Sequence, residues 1–577
     1  METVILHIRD ELAQGRAVSA EDLARLIRSA HKGRPASERF TKRALLPYYL
    51  DVKEGDEARW RAWDIDDALE QKLLAVLRMK PRRSASGVAT ITVLTKPWPC
   101  ANDCLYCPND ARMPKSYLSD EPACQRALLC DFDPYRQVAS RLRVLELMGH
   151  STDKIELIVL GGSFSDYPVA YRIWFVSELF RALNEADATP QEKGGTAEPS
   201  SPAPPLDELL ESLAVQHSRN ESARHRVVGL VVETRPDAIT GDLLRHLRRL
   251  GCTKIQMGVQ SLDPDVLTRN HRPDTIASIT RAFELLRLFG FKTHVHVMRN
   301  LLGSTPARDR EDYRQLVTDK RFLPDEVKLY PCVLIAGTGL VPHFEDGSWK
   351  PYTTDELIDV LVSDVIQTPR FTRISRMIRD ISAHDIIAGN TKANLRQLVD
   401  ERLAELGADV TEIRHREIST DEIDPDWLSL TVTRYETSNT TEYFLEWVTD
   451  EDRIAGFLRL SLPDAHGIEQ LAPTCPVAPG EAMIREVHIY GAPALLGNPS
   501  SARDCATLEG GAYRPRDNTG AGIQHLGLGR RLIEEAEAIA RSEGYRALNV
   551  ISAIGTRPYY RSLGFIDAGM YQRRALE

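Results

Sequence analysis

Apolar residues recur along this chain with two different periods, and the change from one to the other divides it. From residue 1 to about 75 the spacing is helical: Ser19 can cap EDLARLIRSAHKG, in which Leu23, Leu26 and Ile27 recur at three- and four-residue spacing before Gly33. This predicts a small helical region over 1–75. From 76 to 330, short β-branched runs alternate with helical patterns such as DLLRHLRRLG and IASITRAFELLRLFG. The runs are GVATITVLT (87–95), IELIVL (155–160), VVGLVV (227–232), KIQMGV (254–259), KTHVHV (292–297) and EVKLY (326–330). Alternation of this kind builds a parallel sheet covered by helices. The expectation is an α/β fold, a partial TIM-like (βα)6 barrel. Six units fall short of the eight that close a barrel, so a wide mouth is left, and the chemistry should lie on loops after the strands.

Residues 186–205, ADATPQEKGGTAEPSSPAPP, hold five prolines and no apolar period, and read as a flexible surface insertion. Residues 331–420 form a bridging segment in which only TDELIDVLVSDVIQ is legible, as a helix. From 421 to 577 the grammar changes to TEYFLEWV, IAGFLRLSL and MIREVHIYG, alternating runs of antiparallel type. A long helix LGRRLIEEAEAIARSEG, a strand ALNVISA and RPYYRSLGF follow, which predicts a second, α+β domain. Between them, 491–522 is rich in Gly, Pro, Ser and Asn and reads as a mobile loop.

The 577 residues exceed what one hydrophobic core supports, in keeping with several domains. No apolar run of about eighteen residues occurs, and the N-terminal METVILHIRDELAQG carries acids where a signal peptide would be basic and then apolar. A cytoplasmic protein without membrane contact is expected. Nine cysteines are too few for a disulfide scaffold. A net charge of −10 argues against a uniformly basic nucleic-acid binder, so such a partner would need a local patch. One lies between Lys72 and Lys115, where eight Lys and Arg face two Asp; Lys80, Arg82, Arg83, Arg112 and Lys115 are its candidate contacts. A solvated face would carry the same charges.

The sharpest chemical signal is PWPCANDCLYCPND, which spaces Cys100, Cys104 and Cys107 three and two residues apart. Three thiolates can hold a four-iron cluster and leave one iron open to an outside ligand. A zinc knuckle or a group of buried cysteines is the alternative, but zinc would want a fourth Cys or His nearby and none follows before Cys124. Further strands end in Gly161, Gly162 and Ser163, in Glu233, Thr234 and Arg235, and in Gln260 and Ser261. Paired glycines admit a ligand to the backbone, while Glu and Arg can grip a zwitterion. The set resembles the radical S-adenosylmethionine enzymes. That resemblance implies a [4Fe-4S] cluster whose open iron takes S-adenosylmethionine, and an electron donor.

In the second domain Gln524, His525, Leu526, Gly527, Leu528 and Gly529 precede the long helix and resemble the pyrophosphate loop of GNAT acetyltransferases. Unpaired amides and the dipole at a helix N-terminus attract phosphate. The preceding VHIYG is a strand whose edge could pair with a pantetheine arm, and Tyr559 and Tyr560 could donate a proton to a leaving thiolate. Core packing is the alternative for the two tyrosines.

Taken together, these stretches are similar to the Elongator catalytic-subunit family, elongator complex protein 3, in its single-chain prokaryotic form. The resemblance covers about residues 76–577 and rests on KPRRSASGVATITVLTKPWPC, GHSTDKIELIVLGGSF, NESARHRVVGLVVETRPD, KIQMGVQSLDPDVL, IREVHIYG, IQHLGLGRRLIEEAE and ISAIGTRPYYRSLGF, in the family's order. It implies modification of the wobble uridine in the anticodon region of tRNA, by a carboxymethyl-type group that acetyl-CoA donates to carbon 5 through S-adenosylmethionine radical chemistry. It also implies that Lys154 in the first domain meets acetyl-CoA held by Glu486, Val487, His488, Ile489, Gly527, Leu528, Gly529 and Tyr559, so that the domains face each other. A homodimer or accessory subunits are compatible with it. Three departures stand out: Ser163 where the family writes Thr, Arg299 where it writes Pro, and His415 without a cysteine where relatives carry zinc-binding cysteines. The last argues against a structural zinc and leaves Cys332 and His384 as structural residues. Rival readings are a protein lysine acetyltransferase using the second domain alone, and a non-catalytic tRNA-binding scaffold. Loss of a cluster cysteine or of Tyr559 would have signalled the scaffold, and neither is lost.

Overall fold

In the computed structural model the described residues are 1–32, 35, 38–79, 87–187, 194–199, 204–418, 427–471, 475–490 and 527–576. Period-two alternation builds the first sheet. In β1 (Ala89–Leu94) Ala89, Ile91 and Val93 are buried in the core, while Thr90 and Thr92 turn to a cavity on the opposite face. The same division runs through β2 (Lys154–Leu160), with Ile155, Leu157 and Val159 in the core and Lys154, Glu156 and Ile158 on the cavity side. Next come β3 (Arg226–Thr234), β4 (Lys254–Gln260), β5 (Lys292–Arg299) and β6 (Glu326–Pro331), each parallel to the strand before it. The six strands the pattern predicts are therefore present and in order.

The bridging segment adds what its sequence did not show. After a short β7 (Leu334–Ile335), β8 (Arg373–Arg376) joins β6 in parallel and makes a seven-stranded sheet. β7 pairs instead with β9 (Ile386–Ala388) in a separate two-stranded ladder. Four residues are too few to display a period, which is why β8 was illegible. Helices Pro134–Leu147, Val169–Asn184, Leu206–Asn220, Gly241–Arg249, Ile276–Leu288, Pro306–Thr318 and Thr354–Gln367 bury apolar residues in one core with the outer side of the sheet. The sheet stays open between β1 and β8, a curled half-barrel. Before it, among the described residues, five helices between Glu2 and Leu77 enclose a core of their own, and Ser19 forms a capping box with Asp22.

Of the insertion, residues 194–199 are described and are tied down. Glu178 accepts from the Thr196 amide at 2.8 Å and hydroxyl at 2.9 Å, and Glu198 pairs with Lys96. The loop 491–522 lies outside the described residues. No helix among the described residues is long and apolar enough to cross a membrane.

The second sheet has the order β10 (Ser429–Glu436), β11 (Thr440–Val448), β12 (Ile454–Pro463), β13 (Glu481–Ile489), β14 (Ala547–Val550), β16 (Tyr571–Ala575) and β15 (Ile566–Ala568). Its neighbours are antiparallel except β13 and β14, which run parallel from Glu481 and Ala547 to Ile484 and Val550. Past Ile484, β13 continues to Ile489 bonded to β12 alone. The two parallel strands thus part into a V with one free backbone edge. Helix Leu528–Ser542 packs on this sheet through Leu528, Leu532, Ile533, Ala536 and Ala540.

This domain docks at the N-terminal ends of the barrel strands. The Tyr571 hydroxyl donates to Phe289 O at 2.9 Å, and Arg248 donates to Met570 O at 2.7 Å. Gly555 approaches Arg226 and Val227, at the start of β3, too closely to carry a side chain: a Cβ there would lie 2.6 Å from Arg226 Cβ and 2.9 Å from Val227 O.

Candidate active site

The cysteine loop leaves the C-terminal end of β1. Cys107 donates its amide to Cys104 O at 3.1 Å, and Arg272 reaches Cys104 Sγ at 3.8 Å. The Cys107 thiol and the Arg272 guanidinium hold the Cys104 thiol below the ordinary range. Half-buried Arg379, from the segment after β8, clasps the loop from the far side through the Ser116 carbonyl, the Ser116 hydroxyl at 2.9 Å and Glu121 at 3.2 Å. Cys100, Cys104 and Cys107 all line one cavity. Three sulfur donors with a cationic neighbour and no fourth cysteine in the loop fit a cluster with one open iron.

The neighbouring strand ends line that cavity too. Gly161 has φ 139° and Gly162 φ 80°, and a Cβ on Gly161 would fall 1.8 Å from Thr95 Oγ1. Gly161 therefore has a packing requirement as well as a candidate ligand role. Arg235, read as one jaw of a zwitterion grip, donates to Ser163 Oγ at 2.6 Å, Asp166 at 2.7 Å and Asp237 at 3.0 Å, so it fastens the ends of β2 and β3 together. Glu233 accepts from the Tyr117 hydroxyl at 2.7 Å, and burial raises its pKa. Gln260 takes a left-handed φ of 68°, and its buried Oε1 has no hydrogen-bond partner. A buried acceptor left open at a cavity wall suits a ligand donor.

At the other end of the cavity lies the V between β13 and β14. Glu486, Val487, His488 and Ile489 occupy the free stretch of β13. Glu486 pairs with Lys292 of β5 and accepts from Arg459 at 2.9 Å, so it also bridges the domains. His488 stacks on Phe457 at 5.6 Å between ring centroids, and burial lowers it to about 4, which leaves it neutral. Gly527, at φ 72°, caps the helix that begins at Leu528. A Cβ on Gly529 would meet Tyr559 Oη at 3.2 Å and Ile489 Cγ1 at 3.7 Å. Tyr559, 37% exposed, thus hangs over the helix N-terminus with its hydroxyl protonated, partial desolvation raising its pKa above the ordinary value. Tyr560 is buried beside Phe565 in the domain's core. Gln524 lies outside the described residues.

The two ends are one space. A single cavity of about 1730 Å³ touches the three cysteines, Gly161, Gly162, Ser163, Glu233 and Gln260, and also Lys154, Glu486 to Ile489, Gly527, Gly529 and Tyr559. It runs through the barrel, because the cysteine loop sits at the C-terminal strand ends and the second domain at the N-terminal ones. The distance is one strand length, about 20 Å at 3.3 Å per residue. The inward faces of the strands supply its walls: Glu156 on β2, Gln256 on β4, Lys292, His294 and His296 on β5, Glu326, Lys328 and Tyr330 on β6. Sequence reasoning passed over these residues, along with Arg272 and Arg379. Their signal was present as K-x-H-x-H in KTHVHV and E-x-K-x-Y in EVKLY, a period-two polar face inside runs read as strands.

The remaining candidates are less concentrated. Lys80, Arg82 and Arg83 lie outside the described residues. Arg112 is paired with Asp110 at 2.9 Å and Lys115 with Asp103 at 3.3 Å, the two acids within the basic stretch. Cys332 is buried in a core cluster. His384 accepts or donates at 2.9 Å with Asp120 beside Asp385, at the surface. Arg299, in place of the family's proline, is fully buried, pairs with Asp364 at 2.8 Å and lies over Tyr313.

This combination defines a radical S-adenosylmethionine enzyme with an acetyltransferase-like second domain. Residues 100–317 match the radical SAM superfamily, and 324–405 match the radical SAM C-terminal domain. Over 86% of its length the chain is 35% identical to all of the tRNA uridine(34) acetyltransferase of Dehalococcoides mccartyi. It is 33% identical to Elongator complex protein 3 of Schizosaccharomyces pombe, over 89% of each chain. The solved structure of the archaeal Methanocaldococcus infernus Elp3, lacking its N-terminus, superposes with a TM-score of 0.67 and 31% identity, covering 85% of this chain and 99% of that one. The chain belongs to the family of the tRNA uridine(34) acetyltransferases and Elongator complex protein 3.

Proposed function

We propose that this enzyme modifies the wobble uridine of tRNA, adding a carboxymethyl-type group at carbon 5 from acetyl-CoA. The observation that carries the reading is the shared cavity of about 1730 Å³, which joins the cysteine loop to the open V of the second sheet. Cys100, Cys104 and Cys107 would hold a [4Fe-4S] cluster, and the backbone at Gly161 and Gly162, the Gln260 amide and Glu233 would receive S-adenosylmethionine. Bound together, these cofactors supply a hydrogen-abstracting radical. The free edge of β13 from Glu486 to Ile489 would bind the pantetheine arm by strand addition, and the amides at Gly527 to Gly529 the pyrophosphate. Tyr559, protonated and next to Gly529, is the candidate donor to the leaving thiolate. Lys154 opens onto the cavity from the first domain, and burial lowers its pKa.

Enclosure of the cavity by both domains supports a shared substrate, because a reactive intermediate is then kept from water. Basic residues around the cysteine loop, with Lys80, Arg82 and Arg83 among them, are the candidate tRNA contacts, and the cytoplasm is the compartment where tRNA and acetyl-CoA meet. Mass spectrometry of tRNA nucleosides from a deletion strain tests the reading. Loss of a carboxymethyl-type uridine is expected. An unchanged nucleoside profile, together with acetylation of protein lysines by the purified chain, would overturn it in favour of a lysine acetyltransferase.

A further inference from the structure

The barrel lumen carries ionisable side chains that the steps above leave unused, and one of them is out of balance. Lys254 on β4 pairs with Glu156 at 2.7 Å and Glu326 at 3.6 Å. Lys292 on β5 pairs with Glu326 at 2.6 Å and with Glu486 of the second domain. Both cations therefore have two carboxylates each, as burial demands, because an ion removed from water without a partner costs several kcal/mol, on the order of the Born penalty after relaxation. Lys328 on β6 departs from this rule. Its Nζ donates to the neutral Gln256 Oε1 at 2.7 Å, and among the described residues no carboxylate is ion-paired with it. The charged and titratable groups around it are Glu233 from β3, Lys254 from β4, His294 and His296 from β5, Glu326 from its own strand and Arg376 from β8. Burial lowers the amine to about 8, so near neutral pH it is mostly an ammonium facing open space.

Its place along the lumen is equally specific. Lys328 is one pleat repeat, about 7 Å, beyond Glu326 on the same face of β6. Glu326 is held by Lys292, and Lys292 by Glu486 on the free edge of β13. In the other direction Lys328 is the register partner of His296, whose Nδ1 lies 3.5 Å from Glu233, the residue that meets Tyr117 near the cysteine loop. A short group carried inward from β13 reaches Lys328 before it reaches the cysteines.

We propose that Lys328 is the contact for the acyl oxygen of a CoA thioester, holding the acetyl group inside the lumen with Gln256 fixing the ammonium. The inference rests on the proposed function and adds to it the residue that tells acetyl-CoA from free CoA. A protonated amine with unused N–H donors is matched by a carbonyl oxygen that polarises towards it, and a hydrogen bond to a charged donor is worth more than a neutral one.

The test is calorimetric titration of the anaerobically purified full chain with CoA and with the ketone analogue of acetyl-CoA, in which a methylene replaces the thioester sulfur. The native protein should bind the ketone about tenfold more tightly than CoA, the scale of one charged hydrogen bond. Lys328→Met should erase that preference while leaving CoA affinity and iron content unchanged, and Lys328→Gln should restore part of it. Equal affinities in the native protein, or a preference that survives in Lys328→Met, would overturn the inference alone. The second of these is the result expected if the ammonium instead serves a carbonyl of the uracil base. Failure of the native protein to bind CoA at all would overturn the proposed function and the inference together.

Discussion

Arg485 and Asp325 meet across the junction of the two sheets in a two-pronged ion pair, at 2.7 and 2.8 Å, with neither side chain exposed. Arg485 lies on β13 and Asp325 immediately before β6, so the pair fixes the acetyltransferase strand to the base of the barrel. Glu442 accepts from the same guanidinium at 2.8 Å, and Thr293 donates its amide and hydroxyl to Asp325. The two halves of the cavity are thereby held in fixed register.

Removing one partner should be costly, because the other remains as a buried, uncompensated charge. Asp325→Ala is expected to lower stability by roughly 3–5 kcal/mol, measured by chemical denaturation. A loss below about 1 kcal/mol would show that water reaches the junction.

The same pair sets an acid limit. The Arg485 and Arg459 guanidiniums hold the Asp325 pKa far below the carboxylate range despite burial. A folded-state pKa below the unfolded value means that the contribution is complete above about pH 4 and declines as the pH falls from there towards the folded value. Stability should therefore drop below about pH 4 with a slope that Asp325→Asn reduces, read from denaturation midpoints across pH.

Gly555 should be the least tolerant glycine at the junction. A Cβ would face Val227 backbone atoms at 2.9 and 3.0 Å, which cannot swing aside as a side chain could. Gly555→Ala is expected to cost about 1–3 kcal/mol and to speed proteolysis between the domains. Unchanged proteolysis would mean that the contact is not maintained in solution.

Cys104→Ala should abolish the brown colour and the iron of anaerobically purified protein, since two thiolates cannot hold the cluster that three would. Stoichiometric zinc without iron after reconstitution of the native chain would contradict this.

Tyr559→Phe should slow tRNA-stimulated hydrolysis of acetyl-CoA by about 10²-fold or more if its hydroxyl is the proton donor, with CoA affinity retained. Arg82→Ala with Arg83→Ala should weaken binding to all tRNAs alike and flatten its dependence on salt. Full-rate hydrolysis without tRNA would instead show two independent modules.

Much of this protein follows from local pattern. The six first strands, the capping box at Ser19 and the change to antiparallel grammar from about residue 430 are written in spacing and caps, because the forces that set them act within a few residues. Cys100, Cys104 and Cys107 are legible for the same reason, as are Gly527 and Gly529. β8 was not, since its four residues have no period and pair with a strand more than forty residues earlier.

Only the tertiary structure decided how the chemistry is assembled. Lys154, Lys328 and Glu486 are far apart in the chain and look alike as charged positions, yet one cavity collects them. Arg235, which by residue type could grip a ligand, is engaged by Ser163, Asp166 and Asp237, while Lys328 in an ordinary strand pattern is ion-paired with no carboxylate among the described residues and donates to the Gln256 amide oxygen. Whether a charge is spent or available depends on which strands curl together and what they bury. That is a long-range outcome of packing, and residue spacing does not encode it.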